Sequence, residues 1–252
     1  MTKIAFITGA TSGIGEACAH VLAREGYSLV LTGRREDRLE KLGKKLNTKY
    51  NVEIAVSAFD VRDRQQVISS LEELPAKWRK VNVLINNAGL SQGLDPIDKG
   101  SFDDWDTMID TNIKGLLYVS KIVSNWMKDT KSGHIVNLGS IAGKEVYPNG
   151  NVYCATKSAV DALGKAMRID LLPYGIRVTT VDPGAVETEF SEVRFKGDKE
   201  RAKKVYEGFQ PLSALDVAET IWFAVSRPAH VNINELTIMP AAQAAATIIS
   251  RK

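Results

Sequence analysis

"KIAFITGATSGIGEA", residues 3–17, decides how the rest of the chain is read. Ile4, Ala5, Phe6 and Ile7 form a short apolar run of the kind that fills a buried strand. It passes directly into glycines at 9, 13 and 15 and then into a helical pattern. Glycines at these positions permit a tight turn and a close backbone approach to a bound group. The start of the following helix offers unpaired N–H groups and the positive end of a dipole. A strand, a glycine turn and a helix in this order form a cradle for a pyrophosphate, and the context makes the glycines more telling than a lone cluster would be.

Outward from that unit the pattern repeats. Strand candidates are 3–8, 28–32, 52–59, 81–86, 134–139, 176–182 and 234–239, and helical patterns fall near 13–26, 36–48, 63–79, 103–130, 152–174 and 213–227. Near-continuous apolar strands alternating with helices predict a parallel sheet covered on both faces. Right-handed crossovers then give an α/β, doubly wound, Rossmann-type architecture. No linker or low-complexity tract divides residues 1–252, so the expectation is one domain. Its least regular stretch, about 183–212, is expected to be a lid over the site.

The 252 residues, 44% hydrophobic and 25% charged, describe an ordinary globular chain able to bury a core without staples. A net charge of +3, with basic and acidic residues interspersed, gives no footprint for nucleic acid. No stretch approaches a membrane span, and "MTKIAFITGA" has none of the makings of a signal peptide. Two cysteines, Cys18 and Cys154, form no disulfide framework, and three scattered histidines show no metal spacing. The expectation is a cytoplasmic protein with no metal, no nucleic-acid partner and no membrane association.

The end of the second strand bears on which dinucleotide binds. A free ribose 2′-hydroxyl is usually met by an acidic residue there. This chain has "LTGRRED", with Arg34 and Arg35 at the turn, and arginines can fork onto a 2′-phosphate. NADP(H) is therefore expected over NAD(H). The competing reading is that both arginines are the solvated start of the next helix.

With "TGATSGIG" (8–15), "FDV" (59–61), "NNAG" (86–89), "DTNIKG" (110–115), "NLGSIAG" (137–143), "YCATK" (153–157) and "DPGAVET" (182–188) in order, the chain resembles the short-chain dehydrogenase/reductase family along nearly its whole length. The resemblance implies a seven-stranded parallel sheet flanked by helices and a homotetramer. It implies that Gly9, Thr11, Ser12, Gly13, Ile14 and Gly15 meet the cofactor pyrophosphate, and that Asp60 and Val61 lie on its adenine side. Asn87, Ala88 and Gly89, and then Pro183, Gly184, Val186 and Thr188, are implied further along the cofactor. "SEVRFKGD" (191–198), "RPAHVNINELTIMP" (227–240), "GRRE" and "YPNGNVY" are similar to segments of the NADP-dependent 3-hydroxy acid dehydrogenases, whose substrates are serine, allo-threonine or related hydroxy acids and their semialdehydes.

The chemistry follows from side-chain types. Tyr153 and Lys157 lie one helical turn apart on one face, and an ammonium favours a phenolate whose ordinary pKa is about 10. Tyr153 is the expected proton-transfer residue, with Lys157 lowering its pKa. By resemblance, Lys157 also bonds the nicotinamide ribose. Ser140, after the fifth strand, can donate to a substrate oxygen. Asn112, a poor helix former within a helical pattern, is either a local irregularity or, by resemblance, the holder of a water in a proton relay. For a carboxylate-bearing substrate Arg194 and Lys196 are candidates, although six basic and four acidic residues between 191 and 207 equally suit an exposed surface. Asn149 and Asn151 offer neutral hydrogen bonds instead. Three functions remain open: a 3-hydroxy acid dehydrogenase, a broad carbonyl reductase, and an NADP(H) sensor without turnover. The complete Ser–Tyr–Lys set disfavours the third.

Overall fold

Alternation along the strands explains why the sheet is covered on both sides. In β1 (Ile4–Ile7), Ala5 and Ile7 enter one core while Ile4 and Phe6 enter the other. Successive side chains of a strand point to opposite faces, so an unbroken apolar run needs two apolar layers. A computed structural model describes residues 3–252. Its sheet also contains β2 (Ser28–Gly33), β3 (Ile54–Ala58), β4 (Val83–Asn86), β5 (Gly133–Leu138), β6 (Ile176–Pro183) and β7 (Glu235–Ile238). All pairings are parallel, in the order β3-β2-β1-β4-β5-β6-β7.

One face is covered by α1 (Gly13–Arg24), α2 (Glu36–Tyr50) and α9 (Ala214–Val225), which contribute Leu22, Leu39, Leu46 and Ile221 to the first core. The other is covered by α3 (Arg64–Glu73), α5 (Leu116–Thr130) and α6 (Asn151–Leu171), with Leu71, Val123, Met127 and Leu171 in the second. The chain reverses its direction of travel across the sheet between β1 and β4, and that switch opens a crevice at the carboxyl ends of the strands.

Two helical expectations and one irregular stretch are refined. The pattern over 63–79 breaks at Pro75 into α3 and a 3₁₀ turn (Ala76–Arg79), because proline cannot continue the ladder. The pattern over 103–130 is α4 (Phe102–Ile109) and α5 joined by a π-helical turn, Asp110–Gly115, which holds Asn112. Gly115 in that turn permits close packing, since a Cβ there would lie 2.8 Å from Val61 Cγ2. The stretch 183–212 is not irregular throughout. It carries α7 (Phe190–Arg194) and α8 (Lys199–Lys204), each too short to leave a periodic signature. The C-terminal segment folds back on its own chain: Gln243 Oε1 accepts from Ala185 N–H at 2.8 Å, and Lys252 N–H donates to Gly208 O at 2.8 Å. No helix among the described residues is long and apolar enough to cross a membrane.

Candidate active site

A cleft of about 320 Å³ runs along the carboxyl ends of β1, β2, β4, β5 and β6. Every residue expected to hold the cofactor lines it except Gly15. Gly15 lies beneath the turn, where a Cβ would sit 2.3 Å from Gly9 O. Its lack of a side chain brings α1 against the turn after β1.

The cradle fits a dinucleotide. Gly9 (φ +67°) and Gly13 (φ +55°) adopt left-handed backbone that other residues resist. Ser12, at the N-cap of α1, makes no side-chain cap bond, so the first N–H groups of the helix are left for an anion. The turn is braced from β4: Thr8 Oγ1 accepts the N–H groups of Asn87 (3.0 Å) and Ala88 (2.9 Å), and Asn87 Nδ2 donates to Thr8 O (2.9 Å) and Gly9 O (3.1 Å). Asn87 therefore shapes the turn as well as lining the cleft.

The two arginines differ. Arg35 donates to Thr11 Oγ1 (2.8 and 3.1 Å), Ser12 Oγ (2.9 Å) and Glu189 Oε2 (2.9 Å), so its fork ties the glycine turn to the segment before α7. Arg38 joins it on Glu189 at 2.8 Å. Arg34 lines the cleft, and its side chain makes no such bond among the described residues. Asp60, also on the cleft wall, is held by Arg62 at 2.6 Å, which keeps its carboxyl below the ordinary value against the opposing effect of burial.

Deeper in the cleft, Ser140, Tyr153 and Lys157 come together. Tyr153 and Lys157 occupy the first two turns of α6 and are 8% and 7% exposed. Lys157 Nζ donates to Leu138 O at 2.7 Å and lies 6.0 Å from the centre of the Tyr153 ring. Burial pushes Lys157 down to about 8, with Asp182 opposing. Burial pushes Tyr153 up to about 12. Readying the phenol therefore takes more than the spacing of Tyr153 and Lys157. The strongest pull downward on Tyr153 comes from Arg194, with a smaller one from the Ser140 hydroxyl.

Arg194 is the residue that the lid segment brings to this chemistry. Its guanidinium carbon lies 5.2 Å from the Tyr153 ring centre and 5.1 Å from that of Phe190. Nε donates to Ser91 Oγ at 3.1 Å and Nη2 to Tyr147 Oη at 3.0 Å, leaving further N–H donors of the fork without partners among these contacts. Phe190 packs on Tyr153 with ring centres 5.6 Å apart. Tyr147 sits in the quoted "YPNGNVY", but its role could not be read there. Ser91 gave no sequence signal at all.

The remaining candidates are placed elsewhere. Lys196 Nζ pairs with Asp104 at 3.0 Å. Asn151 donates to Asp95 O at 2.9 Å and accepts Val152 N–H at 2.7 Å, in a small neighbouring pocket that Asn149 also lines. Asn112 is both the irregularity and a junction. Its Oδ1 accepts Leu90 N–H (2.9 Å), while Nδ2 donates to Leu90 O (2.8 Å) and Thr156 Oγ1 (3.0 Å). Both side-chain N–H donors are committed to joining the β4 loop to α6.

Comparison with known proteins identifies the relatives of this chain. The family model described as short chain dehydrogenase matches residues 3–199. An NADP-dependent 3-hydroxy acid dehydrogenase, YdfG, from Salmonella typhi is 45% identical over 241 residues, 95% of this chain and 96% of that protein. Sulfoacetaldehyde reductase 2 from Chromohalobacter salexigens is 47% identical over 245 residues, 97% of this chain and 96% of that one. The closed form of a serine dehydrogenase complexed with NADP+ superposes with a TM-score of 0.92 at 44% identity, covering 99% of both chains. The chain belongs to the short-chain dehydrogenase family.

Proposed function

We propose that this short-chain dehydrogenase moves a hydride between NADP(H) and a short 3-hydroxy acid or its semialdehyde, with Tyr153 exchanging the proton. The observation that carries the substrate class is Arg194, a cation with spare donors 5.2 Å from the Tyr153 ring. A carboxylate anchored there would bring a hydroxyl a few bonds away to Tyr153 and Ser140. The names of the relatives support this reading, since hydroxy acids, serine and sulfoacetaldehyde all carry an anionic group close to the reacting carbon.

When bound, the nicotinamide cofactor accepts or returns the hydride, and the protein's own groups do the rest. In oxidation the substrate hydroxyl gives its proton to Tyr153 Oη, and in reduction Tyr153 returns it to the forming alkoxide. The Ser140 hydroxyl donates to the same substrate oxygen and stabilises its developing charge. Lys157, held by Leu138 O, orients the cofactor ribose and adds positive charge beside the phenol. Because both Asn112 side-chain donors are already bonded, a relay water would be held by its oxygens, in the π-helical turn or on the side chain. Arg34 would hold the 2′-phosphate of a bound cofactor, with Arg35 beside it bracing the glycine turn, and the segment 183–212 would close over the substrate.

Exposed apolar side chains on α4, α5, α6 and α9 (Phe102, Leu117, Ile169 and Phe223) support a homotetramer, which light scattering of the purified chain would test. Two buried free cysteines fit a cytoplasmic location. The deciding experiment measures NADP+ reduction with serine, allo-threonine and 3-hydroxyisobutyrate beside uncharged secondary alcohols. A higher kcat/KM for the acids is expected. Equal turnover of the neutral alcohols would instead indicate a broad carbonyl reductase.

A further inference from the structure

Behind the reacting groups lies a buried charge that the proposed chemistry does not use. Asp182, near the end of β6, is 1% exposed. Its Oδ1 accepts the backbone N–H of Ser140 at 3.0 Å. The carboxylate lies so close to the turn that a Cβ at Gly139 would be 1.9 Å from Oδ1, so only glycine fits there. Oδ2 is buried and makes no hydrogen bond, and its nearby cation is Lys144 at 3.6 Å.

The charges around it do not balance among themselves. Lys144 also holds Asp161 at 2.5 Å and Glu235 at 2.8 Å, and Lys165 holds the same two at 2.8 and 3.7 Å. Three carboxylates (Asp161, Asp182 and Glu235) thus face two ammonium groups (Lys144 and Lys165). Lys157 Nζ reaches the same turn from α6, donating to Leu138 O at 2.7 Å two residues before the Ser140 N–H that Asp182 accepts. A buried ammonium with no counter-charge tends to lose its proton. For Lys157, Asp182 is the charge acting against that loss.

We propose that Asp182 is a positioning residue: it fixes the Ser140 turn and supplies the negative charge that keeps Lys157 an ammonium, with Lys144 as its own counter-ion. The proposal rests on the assignment of Ser140 and Lys157 to the reaction. It adds that the charge of Lys157 is set from outside the substrate cleft.

Asp182→Asn separates the two functions, because an amide oxygen can still accept the Ser140 N–H while the charge is gone. In the full-length chain, the titration of Lys157 is followed by NMR of lysine labelled at Cε, with its signal assigned by Lys157→Met. The midpoint is expected to fall by about one pH unit or more in Asp182→Asn. The alkaline limb of kcat/KM should move down with it. Lys144→Gln, a change at a partly exposed side chain, should shift the same midpoint in the same direction by less, and it serves if Asp182→Asn does not fold. An unmoved Lys157 midpoint, with kcat/KM lowered evenly at every pH, would overturn the proposal and leave Asp182 a packing residue. The NMR readout does not depend on turnover. If Lys157→Met retained activity, the catalytic assignment would fail while the electrostatic inference was still decided by the midpoint.

Discussion

Replacing Arg194 by methionine keeps an unbranched side chain against Phe190 and Tyr153 but removes the cation and its fork. Two separable losses should follow. The first concerns the phenol. A unit charge 5.2 Å from the ring centre interacts with a phenolate by about 3 kcal/mol at an effective dielectric of ~20. That corresponds to roughly two pH units. Arg194 is only half-buried, so solvent screening brings the expected effect to about one unit. Because burial already holds Tyr153 near 12, losing the cation raises it further, and the acid limb of kcat/KM for oxidation should move to higher pH with every substrate, charged or neutral. The second loss concerns the substrate. Hydrogen bonds to a charged group contribute about 1.5–3 kcal/mol, so a carboxylate substrate should lose a further ~10- to 150-fold in kcat/KM that a neutral alcohol does not. Arg194→Lys should restore much of the first effect and little of the second, since an ammonium keeps the charge without the fork. The assay is the pH dependence of NADP+ reduction with 3-hydroxyisobutyrate and with an uncharged secondary alcohol. Equal losses on both substrates, with no movement of the limb, would refute both lines of reasoning.

Other outcomes are also expected. Tyr153→Phe should lower kcat by about 10²-fold or more while NADP(H) binding, read by fluorescence, stays within a few-fold. Arg34→Ala should weaken NADP+ by roughly tenfold or more and leave NAD+ unchanged, because its guanidinium has no internal bond to give up; equal loss of both cofactors would exclude a 2′-phosphate contact. Gly15→Ala should fail through stability and not through cofactor affinity alone, since its Cβ would meet Gly9 O; calorimetry with and without NADP+ separates the two. His134 is buried with Nε2 at 2.7 Å from Thr179 Oγ1, and its pKa is pushed down to about 3, so its neutral form stabilises the fold above about 6.5. That contribution should be lost as pH falls towards 3, by about 3 kcal/mol at pH 4.5, and urea unfolding of wild type against His134→Gln should show the gap closing.

What the sequence made legible was whatever depends on period and order. Strands with alternate residues in two cores, and a glycine turn between strand and helix, leave marks along the chain itself. Elements shorter than two helical turns leave none, which is why α7 and α8 were invisible. Asn112 shows the boundary well. An asparagine in a helical pattern signalled irregularity, but the bonds to Leu90 that explain it span 22 positions and have no local signature.

The same boundary runs through the site. Tyr153 and Lys157 are neighbours in sequence, so their spacing invited a charge-on-phenol argument, but the cation that the lid segment adds beside the phenol left no mark there. Arg194 acts on Tyr153 from 41 positions away, and Asp182 acts on Lys157 from β6, a separate element. Burial is the reason that these distant charges matter. Removing water from around Tyr153 and Lys157 pushes both away from their charged forms, and it also makes each neighbouring charge count for more. Side chains that bring such charges come from whichever elements the fold stacks against α6. A motif can therefore name the reacting groups, but the energies that ready them are set by residues that only the folded chain brings near.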